Sequence, residues 1–168
     1  MQRITAVLTA IVVALSAASL AAQAKPNFAG KWVLDPASAP PAGGGRGGGG
    51  RGGGRGGMFG PELTVTQDAT NIVVEYMGGG QNPAPVKLTY KLDGTESKNM
   101  MMGRGGQMEQ VSKATWSGNS LVITTTVGAG EQRRTISMEG GNLVVETSNP
   151  GRDGGPATVT KVTYKKAA

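Results

Sequence analysis

Val86-Lys87-Leu88-Thr89-Tyr90-Lys91-Leu92 alternates without a break. Val86, Leu88, Tyr90 and Leu92 fall on one face; Lys87, Thr89 and Lys91 fall on the other. Side chains along a strand point to opposite faces in turn. The pattern therefore predicts a half-buried strand, core on one side and water on the other. Similar runs flank it: Leu63-Thr64-Val65-Thr66, Ile72-Val73-Val74-Glu75-Tyr76, Leu121 to Val127, Thr135-Ile136-Ser137-Met138, Leu143-Val144-Val145-Glu146-Thr147 and Thr158 to Tyr164. Most are rich in Val, Ile and Thr, which suit a pleated surface. From residue 25 onward no segment shows the 3.6-residue apolar period of a helix.

Short polar breaks separate these runs. Asp68-Ala69-Thr70-Asn71, Ser117-Gly118-Asn119-Ser120 and Glu139-Gly140-Gly141-Asn142 each precede an aliphatic pair, and Leu92-Asp93-Gly94-Thr95 is a fourth break. Asp, Asn and Gly at such spacing predict hairpin turns. Consecutive hairpins make an up-and-down meander. A meander of eight to ten strands would strain a flat sheet. The expected fold is all-β: an antiparallel meander closing into a barrel or a barrel-like sandwich, which protects the sheet edges.

The chain begins with Arg3, an apolar run from Ile4 to Leu20, and Ala22-Gln23-Ala24. That order of basic, apolar and small-x-small segments predicts a cleaved signal peptide over residues 1–24. Residues 25–168 then form a single β domain in an exported protein, periplasmic or secreted. With the leader cleaved, no remaining segment is apolar enough to predict a transmembrane helix. The domain holds no cysteine, so burial rather than disulfides must stabilise it.

A low-complexity stretch at about 37–60 interrupts the domain. Residues 43–57 consist of 12 Gly and 3 Arg, and Phe59 lies at the edge. Such a run buries too little apolar surface to offset the entropy of ordering it, so a flexible, positively charged loop is expected. The formal net charge is +6. Arg3, Arg46, Arg51 and Arg55 supply four of those charges, which leaves the folded part nearly balanced. Arg46, Arg51 and Arg55, with Arg104, are candidates for contact with an envelope polyanion. The tract resembles RGG segments of RNA-binding proteins, but it lacks interleaved aromatics and export argues against a nucleic-acid partner.

Phe28-Ala29-Gly30-Lys31-Trp32, leading into an antiparallel meander, resembles the Gly-x-Trp opening of the lipocalin-like (calycin) barrels, as found in small exported bacterial members of uncharacterised function. The resemblance implies a barrel with Trp32 near its closed end, Gly30 and Trp32 as structural residues, and a small apolar ligand in the mouth. It also leads one to look for a late-strand cation over the tryptophan. No arginine stands there; Lys161 and Lys165 are the nearest substitutes.

Chemistry is limited by what is missing. With no His and no Cys, nucleophilic triads, imidazole proton shuttles and ordinary zinc sites are excluded. The carboxylates fall mostly at turns and polar strand faces, and no pair stands out by spacing. A non-enzymatic protein without a cofactor is expected. Met100-Met101-Met102 and Met108 invite two readings. They could line a barrel mouth with Tyr90 and contact an apolar or amphipathic ligand. Alternatively, their thioethers, bent around Gly103-Arg104-Gly105-Gly106 as a loop, could form a weak Cu(I) site. Oligomeric state is not legible in the sequence.

Overall fold

The computed structural model describes residues 25–40, 59–79, 83–103, 106–127, 130–151 and 155–168, with backbone only at 102–103. Ten strands form one antiparallel sheet: β1 Gly30–Leu34, β2 Glu62–Gln67, β3 Asn71–Met77, β4 Pro85–Lys91, β5 Glu96–Gly103, β6 Gly106–Ser117, β7 Ser120–Val127, β8 Gly130–Glu139, β9 Asn142–Asn149 and β10 Thr158–Lys166. A 3-10 turn, Pro36–Ser38, follows β1. Sequential strands pair throughout, except that β1 lies between β2 and β10 and that no ladder joins β4 to β5. The sheet thus curls on itself. Its two free edges, β4 and β5, meet at a seam, and the barrel is nearly closed.

The seam is held by side chains in place of a backbone ladder. Thr89 N–H donates to Asn99 Oδ1 at 2.7 Å, and Asn99 Nδ2 donates back to the Thr89 carbonyl at 3.1 Å. Lys91 N–H donates to Ser97 Oγ at 2.8 Å. Asn99 and Ser97 are buried. They satisfy edge groups that would otherwise be costly to leave unpaired.

The strict alternation around Leu88 and Tyr90 is seated as its period predicts: both are buried and Lys87 is exposed. The four expected turns are all present, with Gly94, Gly118, Gly140 and Gly141 at positive φ. Asp68 and Asp93 close their turns by accepting from the backbone N–H two residues on.

β5 and β6 depart from the sequence reading, which treated the Met-rich region as a loop. It is a hairpin, with Met101 opposite Met108 and Met102 opposite Gln107. The period of β5 is hidden because its buried side chains are polar. Ser97 and Asn99 face the seam, while Met100 is 55% exposed. The ends of the low-complexity stretch also belong to the fold. Pro36–Ser38 is helical, and Phe59 and Gly60 are buried. Residues 41–58 lie outside the described ones, as do 1–24.

One end of the barrel carries the four tight turns and is closed from within. Phe28, just before β1, stacks on Trp116 of β6 with centroids 5.7 Å apart. The Trp32 indole N–H donates to the Phe28 carbonyl at 2.9 Å. Gln67 clamps the same segment, accepting from Phe28 N–H and donating to the Pro26 carbonyl. Gly30, at φ 148°, occupies a conformation that favours glycine. The residue opposite Trp32 on the last strand is Lys166. Lys161 and Lys165, the substitutes suggested by the sequence, instead pair with Glu139 and Asp35 on the outer surface.

Candidate binding site

Inward rows follow from register. Ile123 of β7 faces Arg134 of β8, and Arg134 faces Thr147 of β9. Ile123 and Thr147 are buried, and so is Ile136, two residues along from Arg134. Arg134 therefore points into the lumen. Three tyrosines share that interior: Tyr76 on β3, Tyr90 on β4 and Tyr164 on β10.

The lumen is graded in polarity along the β6–β9 wall. Towards the tight turns it presents Trp116, Leu121, Ile136 and Leu143. Towards the other end the same strands carry Ser112, Thr125, Arg134 and Thr147. Ser112 and Thr125 share a buried hydrogen bond of 2.8 Å. Gln132 Nε2 donates to Asn149 Oδ1 at 2.6 Å. The β2–β4 wall opposite is apolar apart from its tyrosines and Gln67 at the tight-turn end.

Electrostatics mark the centre of this interior. Burial pushes the Tyr90 phenol up to about 12, and the Arg134 charge pulls the other way. Tyr76 and Tyr164 are raised for the same first reason and opposed by the same guanidinium. Tyr164 donates to the Gly60 carbonyl at 3.2 Å. The Tyr90 hydroxyl is fully buried with no partner at full hydrogen-bond geometry, and the Arg134 guanidinium lies near enough to act on it both as a charge and as a donor. A buried hydroxyl short of a full partner carries a cost in free energy.

Of the residues singled out in the sequence, Tyr90 lies in the lumen and Trp32 near its closed end. Met101 and Met108 are cross-strand partners at the end of the barrel away from the tight turns, and Met108 is 58% exposed. Met100 is one residue out of phase with Met101 and so falls on the outer face, opposite Glu109. Met102 pairs with Gln107 in the backbone register. The hairpin thus sets Met100 and Met101 on opposite faces. Among the described residues no group of three or more His, Cys, Asp or Glu is placed to hold a metal. Arg46, Arg51, Arg55 and Arg104 lie outside the described residues. A shallow hollow of about 630 Å³ opens on the outside of β1–β4, between Val33, Glu62, Met77 and Lys87, away from the lumen. Sequence reasoning missed Arg134 because Gln132-Arg133-Arg134-Thr135 has no apolar alternation to show which arginine turns inward.

No protein-family model and no curated protein matches the chain. Solved structures do. A single-residue variant of the fluorescent protein UnaG superposes with a TM-score of 0.54 at 17% identity, over 83% of this chain and 96% of that one. A second UnaG variant gives 0.50 at 20% identity, over 64% and 71%. The zebrafish ileal bile acid-binding protein, complexed with cholic acid, gives 0.47 at 21% identity, over 63% and 72%. At such identities the UnaG likeness shows the fold: this is a calycin-like barrel.

Proposed function

We propose that this protein is a non-enzymatic binding module that takes a small amphipathic molecule into its barrel. The observation that carries the reading is the inward Arg134 among Tyr76, Tyr90 and Tyr164, at the border between the apolar and the polar part of the interior. A ligand's apolar body would lie against Leu88, Val74 and Ile123, and its polar end would meet Arg134 and the Tyr90 hydroxyl. Charge-assisted hydrogen bonds in such a desolvated place hold orientation strongly. With no His or Cys in the chain, binding is a better account of this interior than turnover.

The test is titration with anilinonaphthalene sulfonate, followed by displacement with long-chain carboxylates. Arg134→Gln should weaken the competing carboxylate by about tenfold, the worth of one charge-assisted contact. A barrel that admits no amphipathic probe, or an Arg134→Gln protein that binds like wild type, would reject the reading.

We further propose that residues 1–24 direct export and are removed, on the strength of the basic, apolar and Ala22-Gln23-Ala24 segments. Intact mass of the protein recovered from the exported fraction should correspond to a chain starting at Lys25. A full-length mass there would reject cleavage.

A further inference from the structure

Phe59 stands in an unexpected place. It follows the Gly/Arg tract and precedes β2 by three residues, in no strand and no helix. Yet it is only 2% exposed. Its ring meets Tyr76 of β3 edge-on, with centroids 5.7 Å apart and planes at 61°. The Arg134 guanidinium of β8 lies 4.9 Å from the same ring centroid. In the order β3-β2-β1-β10-β9-β8, those two strands are five steps apart in a ten-stranded ring. Phe59 therefore touches opposite walls and lies across the lumen. Its neighbour Gly60 puts a carbonyl oxygen against the Tyr164 hydroxyl at 3.2 Å. A side chain at Gly60 would come within 2.8 Å of the Met77 carbonyl, so the segment is fitted closely to the wall.

We infer that Phe59 and Gly60 are a built-in occupant of the binding site, holding the place of a ligand with a flat aromatic ring and an acceptor oxygen beside it. This rests on the reading of the barrel as a binding module and names its ligand class. Three groups define the class. Arg134 offers a cation to a π face. Tyr76 offers a ring that accepts another edge-on. Tyr164 offers a hydroxyl to an acceptor. An aryl carboxylate satisfies all three and adds a charge for Arg134. The occupant lies just outside the sheet, whose first backbone bond after it is Leu34 N–H to the Pro61 carbonyl at 2.8 Å. It competes with free ligand, and the observed affinity is the intrinsic affinity multiplied by the fraction of molecules in which it is unseated.

Naphthoate and decanoate serve as probes, one aromatic and one aliphatic, in titration calorimetry on the whole chain. Phe59→Ala should bind naphthoate roughly tenfold tighter than wild type, with a smaller gain for decanoate. Equal affinity for naphthoate in the two proteins would overturn the inference, as would an equal gain for both probes. In the unmodified protein, saturating naphthoate should speed chymotryptic cleavage after Phe59, because the displaced ring becomes accessible. Slower or unchanged cleavage would overturn it without any variant having to fold. If anilinonaphthalene sulfonate binds wild type but Phe59→Ala gains nothing, only the built-in occupant fails. If no probe enters either protein, the binding module falls with it.

Discussion

At Tyr90 a rule of protein interiors is strained: a phenolic hydroxyl is buried without a well-formed hydrogen bond, with Arg134 as the neighbouring donor. If the hydroxyl is kept for a ligand, removing it should help the empty protein and harm the bound one. Tyr90→Phe is expected to raise stability by about 1 kcal/mol, read from the urea midpoint. The same substitution should weaken an amphipathic carboxylate. A loss of stability would mean that the hydroxyl has a partner in solution and that the site is not held open for a ligand. The tyrosines also fix an alkaline limit. Unfolded tyrosine ionises near pH 10, whereas burial holds Tyr90 protonated to about 12 and raises Tyr76 and Tyr164 as well. Above pH 10 the unfolded chain therefore binds fewer protons than the native one, and stability falls as pH rises. Below pH 10 the contribution is fully present. Urea midpoints across that window should drop together with the rise of tyrosinate absorbance, and Tyr90→Phe should flatten the slope. Residues of this kind were half legible. Alternation placed Tyr90 on the buried face, but nothing near Arg134 or Phe59 announces a lumen, because their meeting is created by strands far apart in sequence.

Strands were legible where burial is apolar and hidden where it is not. β4 carries Val86, Leu88 and Tyr90 at alternate places, and β7, β9 and β10 set Leu121 and Ile123, Leu143 and Val145, and Val162 and Tyr164 two apart, so period two reads directly. β5 buries Ser97 and Asn99 and shows Met100 to solvent, which inverts the usual code. The inversion has a cause in the seam, where edge N–H and C=O groups need polar side chains. Asn99→Leu keeps the volume but strips the Thr89 N–H and carbonyl of their partner. It should cost about 1–3 kcal/mol, the penalty for unpaired buried polar groups. Hydrogen exchange at Thr89 should accelerate selectively, while amides in the β8–β9 ladder stay protected. Uniform acceleration would show that the seam is not a local unit. Ser97→Ala should do the same, more weakly, at Lys91, because it removes one hydrogen bond rather than two.

For the molecule as a whole, the seam and the chain ends exchange their expected places. β4 and β5 are consecutive in sequence yet form the break in the ladder, while β1 and β10, the first and last strands, are bonded neighbours. Trp32 faces Lys166, and Ala167 N–H donates to the Lys31 carbonyl at 2.9 Å. The two phenylalanines that cross the interior each arrive just ahead of a strand, Phe28 ahead of β1 at the tight-turn end and Phe59 ahead of β2 at the other end. A barrel poor in aromatics is thereby filled by side chains delivered from outside its own strands. It follows that the turn at Asp93–Gly94 contributes connection but no ladder, and that opening it leaves all nine backbone ladders intact. A circular permutant that begins at Gly94, ends at Asp93 and joins Ala168 to Lys25 by a short Gly/Ser linker should fold to the same strand-rich structure. Closing the chain at the new junction offsets much of the entropy released at the old one, since loop cost grows slowly with length. Its unfolding should remain cooperative, its midpoint should fall modestly, and exchange at Thr89 should rise as it does in Asn99→Leu. Loss of cooperativity would show that the covalent turn, rather than the Asn99 and Ser97 clasp, keeps the barrel shut. The lumen would then depend on that turn for its shape, and the permutant would lose anilinonaphthalene sulfonate binding along with its cooperativity.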